Sequence, residues 1–190
     1  NVYSIAYDSQ KNIWFGTYAG ATKLNGSAYE SYFRVSGLLS NIINCSALDS
    51  QGKLWIGTRT GASRFDGTQW FNLTMEEGLP NNNVTSIATD GGNNVWIATD
   101  DGVAKYDGTT VTVYKTSDGL VHNSVNCVAI DPQGNKWFAT YMGVSRFDGA
   151  TWTTYNEQDG LASYTVRTIA FDTKGNAWFG YGQDLSTYHK

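Results

Sequence analysis

The chain has 190 residues, of which 14% are aromatic and 16% charged, with 21 glycines and a net charge of −4 at pH 7. This length suits one well-packed domain, and the composition favours turn-rich β structure over a helical bundle or a disordered chain. The acidic balance, without a basic stripe, argues against a nucleic-acid partner, and no apolar run is long enough for membrane insertion.

A repeat of 41 residues runs through the whole sequence. It is marked by tryptophans at equal steps, Trp14, Trp55, Trp96, Trp137 and Trp178, and by an aspartate before each, Asp8, Asp49, Asp90, Asp131 and Asp172. Gly-Leu pairs recur with the same step, beginning at Gly37, Gly78, Gly119 and Gly160. A period of this length is typical of β-propeller blades, which consist of four antiparallel strands.

Each repeat is predicted to begin with a strand that ends at the repeated aspartate, as residues 84–89 do before Asp90. An Asp-x-x-Gly turn follows, such as Asp131-Pro132-Gln133-Gly134, whose residues suit a type I turn. Asn93 and Lys11 replace the glycine in two repeats. Asparagine tolerates the left-handed conformation, whereas Lys11 should be strained there or adopt a different turn.

The second strand of each repeat carries the tryptophan, and the third runs from a glycine, as in residues 143–147. The third strand ends in Asn-Gly or Asp-Gly, a pair that predicts a type I′ hairpin turn. These pairs are Asn25-Gly26, Asp66-Gly67, Asp107-Gly108 and Asp148-Gly149. A fourth strand should then begin at Tyr29, Trp70, Val111 or Trp152.

The predicted fold class is therefore all-β: one β-propeller domain over residues 1–190, with five blades of four antiparallel strands. The blades span approximately residues 1–33, 42–74, 83–115, 124–156 and 165–190. The last blade lacks its outer strand, because the tryptophan strand and a short third strand near residues 185–188 use up the chain. We expect a five-bladed ring with one thin blade; an open fragment of a larger ring is the alternative.

The composite unit reads Asp-x-x-Gly-Asn-x-Trp-x-Gly-Thr-x-x-Gly-Val-Ser-Arg-Phe-Asp-Gly-x-x-Trp-Thr-x-Tyr, followed by Gly-Leu. This unit resembles the two-component regulator propeller repeat of bacterial sensor proteins. The resemblance implies a periplasmic or extracellular sensor or scaffold domain, with other domains of a longer parent protein as partners. It supplies no catalytic residues and no cofactor.

Positions at which the repeats differ are the candidates for a ligand site. On the face where the inner strands begin, called the top here, two such positions lie side by side in each repeat. The candidate ligand-binding residues are Tyr3, Tyr18, Asn44, Arg59, Thr85, Asp100, Asn126, Tyr141 and Arg167. Their rings, amides and guanidinium groups suit a glycan or peptide ligand, although unselected loop variation would give the same pattern.

Other features have structural explanations. The repeated tryptophans fit a core between blades, and the repeated aspartates fit turn capping better than metal binding. Five carboxylates near the top of the third blade, Glu76, Glu77, Asp100, Asp101 and Asp118, suggest solvated loops rather than a calcium site. Cys45 and Cys127 lie in equivalent strands of non-adjacent blades and are expected to stay unpaired.

We therefore expect a non-catalytic ligand-binding or protein-interaction propeller. A purely structural spacer is the main alternative. A propeller-type lyase, with a histidine and carboxylates around magnesium, is a weaker one, because His122 is the single histidine in a predicted loop. No catalytic residue, metal site or cofactor is predicted.

Overall fold

A computed structural model describes residues 1–8, 10–182 and 185–188 of the chain. Strands account for almost all of its regular structure. The first blade contains β1 (Val2–Tyr7), β2 (Ile13–Thr17), β3 (Gly20–Asn25) and β4 (Ala28–Tyr32). The second contains β5 (Ile43–Leu48), β6 (Leu54–Thr58), β7 (Gly61–Phe65) and β8 (Trp70–Leu73).

The remaining blades repeat this order. The third contains β9 (Val84–Thr89), β10 (Val95–Thr99), β11 (Gly102–Tyr106) and β12 (Val111–Tyr114). The fourth contains β13 (Val125–Ile130), β14 (Lys136–Thr140), β15 (Gly143–Phe147) and β16 (Trp152–Tyr155). The fifth contains β17 (Thr168–Phe171), β18 (Ala177–Gly180) and β19 (Leu185–Tyr188).

Each blade is an antiparallel sheet whose strands pair in chain order, four sheets having four strands and the last having three. Successive blades are joined by short 3-10 helices, namely Arg34–Ser36, Met75–Glu77, Thr116–Asp118 and Glu157–Asp159. The glycine after each helix has a positive φ, and the leucine that follows it is buried. The predicted all-β, five-bladed architecture is confirmed, including the missing outer strand of the last blade within the described residues.

The core lies between the blades. In each of the first four blades, one face presents the tryptophan of the second strand, and the next blade covers that face with aromatic and aliphatic side chains. Trp96 of β10, for example, packs against Phe138 and Phe147, at ring-centroid distances of 5.9 Å and 6.2 Å. Such stacking is required because a single four-stranded sheet cannot bury both of its faces.

The two end blades depart from this pattern. Trp178 is 37% exposed, whereas the other four repeat tryptophans are at most 4% exposed. On the first blade, Ile5 is 65% exposed, although the equivalent Ile87 and Val128 are buried. The predicted burial of the repeat tryptophans is therefore confirmed for four of them and wrong for Trp178.

These exposed side chains lie on the faces that a closed ring would bring together. Inner strands pack against each other from β1 to β5, β9, β13 and β17, but in the part of the chain described here no contact of comparable extent joins β17 to β1. The expectation of a closed five-bladed ring is therefore wrong. The structure is an open arc, because neither end face has a blade to cover it.

The turns confirm one prediction and correct another. Lys11 and Asn93 have φ angles of 67° and 65°, so the lysine does adopt the left-handed conformation. The predicted type I′ turns are wrong, since Gly67 has a positive φ and Asp66 does not. Asp66 instead uses its carboxylate to accept hydrogen bonds from the backbone of Thr68 and Gln69.

Candidate ligand-binding site at the top of the channel

The top face is formed where the inner strands begin and where the second strand of each blade turns into the third. The inner strands stand next to one another around the axis of the arc, so the first residues of β5, β9 and β13 surround a channel mouth. The loops of residues 18–19, 59–60 and 100–101 connect second to third strands beside it. The topology thus brings the two variable positions of each repeat onto one face.

Two adjoining pockets open on this face. The central pocket encloses about 320 Å³ and is lined by Asn44, Arg59, Asn83, Thr85, Asn126 and Arg167. The tyrosine pocket encloses about 120 Å³ and is lined by Tyr3, Tyr18, Ile42, Ile43, Asn44 and Arg59. Because they share Asn44 and Arg59, we treat the two as one site, the channel-mouth site.

The tyrosine pocket presents aromatic surface to solvent. The Tyr3 and Tyr18 rings lie 6.2 Å apart between centroids and are inclined by 50°. Tyr3 is 51% and Tyr18 58% exposed, next to the apolar side chains of Ile42 and Ile43. Exposed aromatic rings beside a few polar groups are typical of small-molecule and carbohydrate sites.

Three predicted site residues also tie neighbouring blades together. Asn44 Nδ2 donates to Val84 O at 2.8 Å, Thr85 Oγ1 to Val125 O at 2.6 Å, and Asn126 Nδ2 to Val166 O at 2.8 Å. Each bond crosses to the next blade, reaching its inner strand at Val84 and Val125 and the segment just before β17 at Val166. These side chains therefore have a structural role at the channel mouth, and only their remaining polar atoms are available to a ligand.

The two arginines at the site lack such partners. Within the described residues, neither Arg59 nor Arg167 forms a side-chain hydrogen bond or an ion pair with a carboxylate, and both are exposed. Arg64 and Arg146 behave differently, since they lie over the rings of Phe71 and Trp137 at 4.8 Å and 5.8 Å. The pocket thus carries two guanidinium groups that no other side chain neutralises.

Of the nine predicted site residues, Asp100 and Tyr141 line neither pocket. Asp100 adjoins the site, because its Oδ2 accepts a hydrogen bond of 2.6 Å from Nδ2 of Asn83. Tyr141 is half exposed and lies near His122, with ring centroids 6.3 Å apart.

Sequence reasoning missed the position just before each inner strand, which supplies Ile42 and Asn83 to the pockets. That position varies between repeats as the predicted ones do, being Ile42, Asn83, Ser124 and Thr165 in the later blades. Comparing the repeats there would have found it.

The carboxylates near the top of the third blade have separate partners. Glu77 accepts from the backbone of Thr74 at 2.8 Å, Asp118 from that of Lys115 at 2.8 Å, and Asp101 from Lys115 Nζ at 2.6 Å. The Lys115 hydrogen bond is the main reason that the pKa of Asp101 is lowered. No group of three metal-binding side chains occurs within residues 1–8, 10–182 and 185–188.

His122 has a structural contact. Its Nδ1 accepts a hydrogen bond of 3.0 Å from the backbone nitrogen of Ser124. The chain's other histidine, His189, lies outside the described residues. The described part of the chain therefore shows no constellation of a histidine with carboxylates.

These features define a repeat-built β-propeller with a polar and aromatic site at its channel mouth. Residues 1–19, 37–60 and 78–101 match the model of the two component regulator propeller family. The matched residues fall in the first three of the five repeats, and they agree with the resemblance that the composite repeat unit indicates. None of the helices in the described ranges is long and apolar enough to cross a membrane.

Solved structures share the fold. The extracellular domain of a putative one component system from B. thetaiotaomicron superposes with a TM-score of 0.82 at 20% identity, over 98% of this chain and 29% of that one. The extracellular domain of a putative hybrid two component system from the same organism superposes with a TM-score of 0.61 at 24% identity, over 98% of this chain and 32% of that one. Virginiamycin B lyase from Staphylococcus aureus superposes with a TM-score of 0.75 at 11% identity, over 98% of this chain and 69% of that one.

At these identities the likeness shows the fold alone. The chain spans about a third of the length of the two sensor-type structures. A search of curated proteins finds no match.

Proposed function

We propose that this chain is a non-catalytic ligand-binding or protein-interaction propeller, the sensory or scaffold part of a bacterial periplasmic or extracellular protein. Its ligand, a glycan or a peptide, binds at the channel-mouth site. The observation that carries the proposal is the convergence of seven variable residues from different blades on two adjoining pockets. The repeats and the extracellular sensor-type structures of the same fold support the proposed setting.

The experiment that tests this proposal is an array of glycans and peptides probed with the purified chain, followed by titration of the hits. Tyr18→Ala removes an exposed ring of the tyrosine pocket and should weaken binding about tenfold, because stacking on one aromatic ring contributes about 1 kcal/mol or more. Tyr29→Ala is the matched control, since Tyr29 is 71% exposed on the outer strand β4 and lines neither pocket. Equal affinities for the two variants would contradict the assignment of the site.

A second candidate function is a purely structural spacer. The cross-blade hydrogen bonds of Asn44, Thr85 and Asn126 favour it, because they explain these residues without any ligand. A spacer would bind no member of the array, and variants at Tyr3 and Tyr18 would then have no measurable effect beyond stability. The unpartnered Arg59 and Arg167 are what the spacer hypothesis leaves unexplained.

A further inference from the structure

Arg59 and Arg167 are exceptions among the repeats. The position of Arg59 carries Tyr18, Asp100 and Tyr141 in other blades, and that of Arg167 carries Tyr3, Asn44, Thr85 and Asn126. One arginine comes from a loop of the second blade and the other from the start of the fifth. The curvature of the arc nevertheless places both in the lining of the central pocket.

The channel-mouth site is positively charged within an acidic chain. Its lining residues include two arginines and no carboxylate, although the chain as a whole has a net charge of −4. One carboxylate, that of Asp100, adjoins the site and is bonded to Asn83. Two guanidinium groups in a pocket whose lining holds no carboxylate attract anions, and the planar guanidinium group binds carboxylate and sulfate oxygens in pairs.

The channel mouth disfavours a peptide that binds by adding a strand. Such a peptide needs free backbone groups at a strand edge. The carbonyl oxygens of Val84, Val125 and Val166 already accept hydrogen bonds from side chains of the preceding blades.

The same contacts favour sugar hydroxyls. In the described structure nothing donates to Oδ1 of Asn44 or Asn126, so these oxygens can accept hydrogen bonds from a ligand. The exposed rings of Tyr3 and Tyr18 offer a stacking surface beside them.

From these observations, and resting on the proposed function, we propose that the channel-mouth site binds an acidic glycan. Arg59 and Arg167 hold its carboxylate or sulfate group in the central pocket, and Tyr3 and Tyr18 contact a neighbouring sugar ring in the tyrosine pocket.

The test is calorimetric titration of the chain with four probes: an oligogalacturonate, a chondroitin sulfate fragment, a neutral xylo-oligosaccharide and polyglutamate. The first two separate a carboxylate from a sulfate as the recognised group. Each probe is titrated into the wild type, Arg59→Gln, Arg167→Gln and the control Lys174→Gln. Lys174 is exposed in a bottom turn, so its variant removes the same charge away from the site. Melting curves check that all variants are folded.

We expect at least one acidic sugar to bind, more weakly as salt is added, and each arginine variant to lose about tenfold or more in affinity while Lys174→Gln does not. The inference is overturned if neither acidic sugar binds, if the neutral sugar binds equally well, or if the arginine variants match the control. Tighter binding of polyglutamate would overturn the glycan assignment.

These titrations distinguish failure of the acidic-glycan proposal from failure of the proposed function. If the neutral sugar binds and Tyr18→Ala abolishes its binding, the ligand site stands and only its anionic character is wrong. If no glycan or peptide binds at all, the proposed function fails as well.

Discussion

Nε1 of Trp96 donates a hydrogen bond of 2.9 Å to Oδ2 of Asp90, which stands six residues earlier in the chain. The pairs Trp14–Asp8, Trp55–Asp49 and Trp137–Asp131 repeat the bond at 3.0 Å, 3.3 Å and 3.1 Å. The same carboxylates accept from backbone nitrogens of their own turn, as Asp90 does from Gly92 and Asn94. One aspartate thus holds the turn and satisfies the polar atom of a buried ring, which explains why both residues recur.

This arrangement predicts a loss of stability in acid. Burial acts to raise the pKa of Asp90, but hydrogen bonds from Trp96, Asn94 and Gly92 outweigh it and lower the pKa below 3.8. Asp8, Asp131 and Asp172 have lowered pKa values as well. As the pH falls below about 4, these aspartates therefore take up protons more readily in the unfolded chain than in the folded one. The free energy by which the ionised aspartates stabilise the fold is complete above that pH and is lost as they protonate.

Urea unfolding across this range measures the effect. Asp90→Asn should lower the free energy of unfolding at neutral pH by about 1.5–3 kcal/mol, the usual range for hydrogen bonds to a charged group, and should reduce the acid dependence. Glu76→Gln, at an exposed position, is the control and should change stability by less than about 0.5 kcal/mol. An Asp90→Asn variant with the wild-type pH profile would contradict the role given to this carboxylate.

Two tryptophans at equivalent positions of the repeat should differ in how much they contribute to the free energy of unfolding. Trp96 is almost fully buried between the third and fourth blades, whereas Trp178 is 37% exposed on an uncovered face. Trp96→Ala should lower the free energy of unfolding by about 3–5 kcal/mol, and Trp178→Ala by about 1–2 kcal/mol. Denaturant unfolding of both variants measures the difference, and equal losses would mean that the fifth blade is covered in solution.

The strands themselves could be predicted from the sequence because each one recurs with the repeat. Residues 84–89 and 143–147, predicted as strands, are β9 and β15 with the same bounds. The bond from Asn126 to Val166 could not be foreseen, because it depends on how closely two blades approach. Whether the ring closes likewise depends on the angle between blades. That angle is set by the packing of side chains such as Phe138 against Trp96, and the 41-residue repeat of the sequence does not predict it.

The cross-blade bond of Asn126 should contribute to stability without any ligand. Asn126→Ala removes the hydrogen bond of 2.8 Å to Val166 O and should lower the free energy of unfolding by about 1 kcal/mol. Asn25→Ala, at the exposed end of β3, is the matched control and should have little effect. If urea unfolding gives the same midpoint for the two variants, Asn126 does not stabilise the contact between the fourth and fifth blades.

Cys45 should react slowly in the folded protein. Burial raises the pKa of its thiol to about 12, so that almost none of it is thiolate at neutral pH. In a Cys127→Ser variant, which leaves Cys45 as the single thiol, Ellman's reagent should label the native chain far more slowly than the urea-unfolded chain. Rapid labelling of the native chain would contradict the burial. Both cysteines are free in the structure, as expected, so reduction should not change the mass of the wild type.

The open arc should persist in solution. Phe15 of β2 and Phe138 of β14 occupy equivalent positions, but Phe138 is buried against the preceding blade while Phe15 lies on the uncovered face of the first blade, beside the exposed Ile5 and Tyr7. Phe138→Ala should therefore lower the free energy of unfolding by about 3–5 kcal/mol and Phe15→Ala by clearly less. Small-angle scattering of the monomer should match the profile of an arc. A closed-disc profile, together with equal losses at Phe15 and Phe138, would show that the first and fifth blades meet in solution and that the chain closes its own ring.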